Sequence, residues 1–144
     1  MSNFEPEIIA FCCNQCAYAA ADLTGSMRMN YPPNVKIIKL PCAGKFETIY
    51  MLKAFEMGAD GGIVAGCLEG CCHYRTGNLE AAKRIKQVKR ILKELGLEEE
   101  RVDIFYMSSA MGREFAEAAT KITETVRKLG PNPIKRKIKL KNKK

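Results

Sequence analysis

Four short apolar runs, each followed by a stretch of helical periodicity, leave this chain few folds to choose from. Ile8, Ile9, Ala10 and Phe11 open the first run, from Glu7 to Cys13. Val35 to Leu40 forms the second, Gly61 to Gly66 (with Ile63, Val64 and Ala65) the third, and Val102 to Met107 the fourth. Continuous apolar runs of this length are expected of strands buried on both faces. Between them, Ala17 to Met29 is compatible with a helix that ends at the Tyr31-Pro32-Pro33-Asn34 break. Phe46, Ile49, Leu52 and Phe55 recur at spacings of three, closed by Gly58. Asn78 to Leu95 carries an apolar face of Leu79, Ala82, Ile85, Val88, Leu92 and Leu95, with Gly96 as cap. Met111, Phe115, Ala118, Ile122, Val126 and Leu129 trace a last helix stopped by Gly130-Pro131. Strict alternation implies a parallel sheet with right-handed crossovers and helices on both faces. The expected fold is a flavodoxin-like three-layer α/β sandwich around a four-stranded parallel sheet.

At 144 residues the chain has room for one domain with a real core. The net charge of +8 is concentrated at one end, because Lys135 to Lys144 hold seven Lys or Arg and no acid. The remainder has 17 basic against 16 acidic residues. Residues 1–133 are therefore expected to form a single α/β domain, followed by a basic tail over 134–144 that docks on an acidic protein or stays solvated. No nucleic-acid surface is expected, since basic and aromatic residues do not interleave in the body. Lys83, Lys86, Arg90 and Lys93 read as the solvated face of their helix. Neither a signal peptide nor about 18 consecutive apolar residues occurs, which predicts a cytoplasmic protein without a membrane span.

Seven cysteines fall in three clusters, each where a strand runs out: Cys12-Cys13-Asn14-Gln15-Cys16, Pro41-Cys42-Ala43-Gly44, and Cys67-Leu68-Glu69-Gly70-Cys71-Cys72-His73. In an open α/β sheet the carboxyl ends of neighbouring strands face one crevice, so thiols distant in sequence can converge on one centre. Reduced thiols gathered this way suit metal binding or redox chemistry better than structural disulfides. Three chemistries follow. Four cysteines suit an iron-sulfur cluster. Two Cys-x2-4-Cys knuckles, Cys13 with Cys16 and Cys67 with Cys71 or Cys72, suit a zinc-stabilised interaction module but leave Cys42 unexplained. Cys13-x-x-Cys16 at a strand-to-helix junction suits a dithiol-disulfide oxidoreductase but leaves Cys42, Cys67 and Cys72 as bystanders. His73, the only histidine, suits a hydrogen bond to the centre better than a ligand role. The methionines read as core filler, and Asp22 and Asp60 as caps or surface charges. No Walker loop, dinucleotide fingerprint or Cys-x5-Arg loop is present.

In order, Phe11-Cys12-Cys13-x-x-Cys16-x-Tyr18-x-x-Ala21-Asp22, Tyr31-Pro32-Pro33-Asn34-Val35, Pro41-Cys42-Ala43-Gly44, Phe55-x-x-Gly58-Ala59-Asp60-Gly61 and Ala65-Gly66-Cys67-x4-Cys72-His73-Tyr74 resemble the delta subunit of methyl-viologen-reducing hydrogenase, over roughly residues 6 to 130. The resemblance implies a non-catalytic electron-transfer subunit with a 2Fe-2S cluster, in a hetero-oligomeric complex of anaerobes, chiefly methanogens. Its donor would be a hydrogenase, a formate dehydrogenase or a methylene-tetrahydrofolate reductase module. Its acceptor would be the flavin subunit of an electron-bifurcating heterodisulfide reductase. The cysteines that match the family are Cys13, Cys16, Cys42, Cys67 and Cys72. The preferred ligands among them are Cys13, Cys42, Cys67 and Cys72, with Cys16 as the alternate. Cys71 and the lysine-rich tail depart from the family's pattern.

Overall fold

The computed structural model describes residues 4–13, 17–26, 34–66, 77–107 and 111–134. Strand β1 (Ile8–Cys13) leads to helix α1 (Ala17–Ser26), β2 (Val35–Leu40), a 3-10 turn (Ala43–Lys45), α2 (Thr48–Glu56) and β3 (Gly61–Gly66). Then come α3 (Gly77–Glu94), a second 3-10 turn (Glu99–Arg101), β4 (Val102–Tyr106) and α4 (Gly112–Leu129). All pairings are parallel, in the order β2-β1-β3-β4. The path from β1 to β2 moves one way across the sheet, while β2 to β3 and β3 to β4 move the other. Right-handed crossovers therefore put α1 on one face and α2 with α3 on the opposite face. The contacts agree: α4 packs on α1, and α2 on α3. The expected flavodoxin-like sandwich is the architecture observed. No helix among the described residues is long and apolar enough to cross a membrane.

The middle strands are the buried ones. Every residue of β3 is buried, and of β1 all but the half-buried Ile9. Edge strand β2 keeps Lys36 and Lys39 in solvent. Gly58, Gly96 and Gly130 all have positive φ, as expected of residues that reverse the chain after a helix.

Two helix faces differ from the sequence reading. In α2 the buried residues are Met51 and Phe55, while Ile49 is exposed and Phe46 precedes the helix. Each three-residue step falls about 60° short of a full helical turn, so a stripe built on threes rotates off the core. In α3 the buried residues are Ala81, Ile85, Val88 and Leu92, at alternating spacings of four and three; Leu79 and Leu95 are exposed. Leu95 lies one residue past the helix end, where it no longer shares the buried face. Lys83, Lys86, Arg90 and Lys93 are solvent-facing as expected. Of the methionines, Met51 and Met107 are core, but Met57 is largely exposed. Met27, Met29 and the Tyr31-Pro32-Pro33 break lie outside the described residues.

Packing between β3 and α4 leaves no room for a side chain at Gly61. A Cβ there would stand 2.6 Å from Val126 Cγ2, 2.9 Å from the Arg101 carbonyl oxygen and 3.1 Å from Ile8 Cδ1. Gly61→Ala is expected to cost roughly 1–3 kcal/mol through overpacking, read as a fall of several degrees in Tm. An unchanged Tm would mean that α4 lies farther from the sheet.

Candidate metal centre

The sheet order puts β1 between β2 and β3, so the cysteine clusters follow three adjacent strands. Cys13 ends β1 level with Leu40, the last residue of β2, and Cys42 comes two residues later in the chain. On the other side Cys12 stands level with Ala65. Gly66 then closes β3, and Cys67 is its neighbour in sequence. Three strands that are each followed in sequence by a cysteine cluster thus end side by side at the carboxyl edge, where ligands of open α/β sheets gather.

Both described sulfurs at this edge receive backbone donors. The N–H of Ala17, the first residue of α1, donates to Cys13 Sγ at 3.4 Å. The Gly44 N–H donates to Cys42 Sγ at 3.4 Å, so Cys42 caps the 3-10 turn that follows it. Donors aimed at cysteine sulfur are among the means by which proteins set the potential of iron-sulfur centres. Both residues are buried, Cys13 at 1% and Cys42 at 7% exposure.

Two devices hold the Cys42 turn. Phe46, fully buried at its end, packs against Phe11 with ring centroids 5.2 Å apart. From α3, Arg84 Nη1 donates to the carbonyl oxygens of Gly44 and, at 2.8 Å, of Phe46. Arg84 is thus a positioning residue that the sequence reading missed. Bonds that join a side chain to carbonyls 38 and 40 residues away leave no periodic signal.

Cys12 is set apart from its neighbour. Strand alternation puts it on the face opposite Cys13, with Ile8 and Ala10, and it is fully buried. Desolvation first, and the neighbouring Cys13 second, push its thiol up to about 12. Cys12 belongs to the core.

Cys16, Cys67, Cys71, Cys72 and His73 lie outside the described residues. Among the described residues, no three Cys, His, Asp or Glu side chains gather closely enough to hold an ion. Cys13 and Cys42, which end or follow adjacent strands at this edge, are soft sulfurs that suit iron-sulfur or zinc chemistry. Asp60, read from sequence as a cap or surface charge, is fully buried at the opposite end of the sheet.

Known proteins are similar to this chain over most of its length. The family described as methyl-viologen-reducing hydrogenase, delta subunit, matches residues 8–130. The chain is 50% identical over 131 residues to the vhu iron-sulfur subunit of the F420-non-reducing hydrogenase of Methanocaldococcus jannaschii, covering 91% of this chain and 98% of that one. It is 46% identical over 134 residues to the iron-sulfur subunit of the F420-non-reducing hydrogenase of Archaeoglobus profundus, covering 93% and 98%. A third relative is a subunit of the ferredoxin:CoB-CoM heterodisulfide reductase of Methanosarcina mazei, 40% identical over 126 residues. That match takes in 88% of this chain but only 16% of the much longer relative. With the match spanning all four βα units, the chain belongs to the family of methyl-viologen-reducing hydrogenase delta subunits.

Proposed function

We propose that this chain is a non-catalytic electron-transfer subunit that holds a 2Fe-2S cluster at the carboxyl edge of its sheet. The observation that carries this reading is the placement of Cys13 and Cys42 at adjacent strand ends, with a backbone N–H on each sulfur and the third cluster following the next strand. Cys13, Cys42, Cys67 and Cys72 are the proposed ligands, with Cys16 as alternate. When bound, the cluster supplies one reversible electron. The protein's part is to present the sulfurs, keep them largely out of water and fix the Cys42 turn through Arg84 and Phe46. Residues 1–133 form the cluster domain and 134–144 a basic tail.

The relatives supply the context. Their names join the iron-sulfur subunits of hydrogenases to one component of heterodisulfide reductase. In Methanosarcina the matching segment is a small part of the reductase polypeptide itself, and a domain fused to a protein in one organism commonly docks on its counterpart in another. We infer a cytoplasmic hetero-oligomer in which electrons pass from a hydrogenase, formate dehydrogenase or methylene-tetrahydrofolate reductase module through this chain to the flavin of heterodisulfide reductase.

Anaerobic purification is expected to give about two iron and two acid-labile sulfide per chain, with an electron paramagnetic resonance signal after dithionite reduction. Stoichiometric zinc would replace the relay with an interaction module. A colourless, metal-free protein after reconstitution, with Cys13 and Cys16 cycling against a dithiol, would make it an oxidoreductase.

A further inference from the structure

The sheet face that carries α2 and α3 is unevenly covered. Helix α3 lies over β3 and β4, and α2 packs against it with Met51 seated at Gly62 of β3. Beyond α2, toward the edge, the face of β2 is open. A groove of about 570 Å³ runs there between β2 and the outer side of α2. Its floor includes Ile38 and Leu40, and its wall Tyr50 and Met57. Ile38 is 42% exposed, Tyr50 43% and Met57 80%. Scattered apolar side chains need no explanation, but a continuous groove of them marks a binding surface.

We propose that this groove docks an amphipathic helix of a partner protein, with its apolar stripe over β2 and flanking carboxylates at Lys36 and Lys53. The proposal rests on the reading of the chain as part of a larger complex. A helix about 10 Å across would sit beside α2 and extend the existing helical layer across the bare strand. The charge of the rim selects an acidic partner. Lys36 and Lys53 both line the groove and are exposed; among the described residues neither is paired with a carboxylate, and Glu7 is the one acid in the lining.

Asn132 Nδ2 donates to the carbonyl of Ala59, a lining residue, at 2.8 Å, and the Ile134 N–H donates to Asn132 Oδ1. Ile134, the last described residue, thus stands beside the groove, and seven of the ten residues that follow it in sequence are Lys or Arg. Like charge disfavours that tail as the occupant. A second copy is disfavoured as well, since β2 edges paired with each other would bring Lys36 and Lys39 together, and the exposed stripe of α3 is itself basic.

The test uses the full chain with its cluster, mixed with the heterodisulfide reductase and, separately, with the hydrogenase of the same organism. Hydrogen exchange of free and assembled protein should show protection over 35–40 and 48–57 with one of them. Ile38→Asp, and separately Lys36→Glu with Lys53→Glu, should each weaken that complex at least tenfold. A complex that leaves both segments unprotected, or that survives these variants, overturns the groove and leaves the relay function standing. No complex with either protein overturns the assembly reading and the groove with it. A free chain that dimerises until Ile38→Asp separates it, or one whose β2 loses protection on truncation after Ile134, overturns the partner helix in favour of a second copy or the tail.

Discussion

Serine at Cys42 is expected to strip the chain of its iron, and serine at Cys13 to do the same. Each residue ends or follows an inner or edge strand at the carboxyl edge, and each sulfur already receives a backbone N–H at 3.4 Å. An alcohol in place of the thiol loses the soft donor that iron-sulfur chemistry prefers. Loss of a supporting residue alone typically costs 10–100-fold in metal affinity, so loss of a ligand should lower cluster retention by more than about tenfold. Arg84→Ala provides the graded case, because it frees the Cys42 turn without removing a sulfur. It should retain part of the iron and shift the reduction potential. Cys12→Ser is the control: Cys12 is buried among core residues on the other face, so the variant should lose some stability but keep wild-type iron. The readouts are iron and sulfide per chain and the amplitude of the reduced-state resonance. Full iron in Cys42→Ser would pass its ligand position to Cys16, and Cys16→Ser would then be the variant that loses the cluster.

The part of this centre that could be read from sequence depends on strand ends. Val35–Leu40 and Gly61–Gly66 are bounded as expected, because Pro41 and the paired Gly61-Gly62 interrupt local apolar patterns. Once those ends are placed, each cysteine cluster is seen to follow a strand end in sequence, and the β2-β1-β3 order makes those three strands neighbours. Helix faces were less legible. Ile49 and Leu79 are as apolar as the residues that are buried, and only the direction from which α2 and α3 meet the sheet decides which side is covered. Least legible were Arg84 and Asp60, single polar residues that bind backbone groups far away in sequence. A lone charge in a sequence does not say whether its partner is water or a carbonyl on another element.

Asp60→Ala is expected to destabilise the fold by about 3 kcal/mol while leaving the iron content of the folded protein unchanged. Asp60 joins three segments at the amino-terminal end of the sheet. Its Oδ2 accepts the Glu7 N–H at the entry to β1, and its Oδ1 accepts the Asn132 N–H after α4, each at 2.9 Å. Its own carbonyl accepts Arg101 Nη1 at 3.0 Å. Asn132 in turn donates to the carbonyls of Phe55 and Ala59 at the end of α2. Asp60, Arg101 and Asn132 are all buried, so alanine leaves two backbone donors without acceptors, at about 1–3 kcal/mol for each group. Arg101→Met should be at least as damaging. Its guanidinium, 1% exposed, also pairs with the partly exposed Glu98 at 2.8 Å, and its loss takes the donor from the carbonyls of Asp60 and Leu129, at about 1–3 kcal/mol for each group. Each variant should lower Tm by on the order of 10 °C. Asp60→Asn should fall between wild type and alanine, since its one remaining oxygen can serve only one of the two N–H groups. The cluster should not feel these changes, because a six-residue strand separates the two ends by about 20 Å. If iron per folded chain drops in Asp60→Ala as far as in Cys42→Ser, retention depends on the whole sheet and not on the loops at its carboxyl edge.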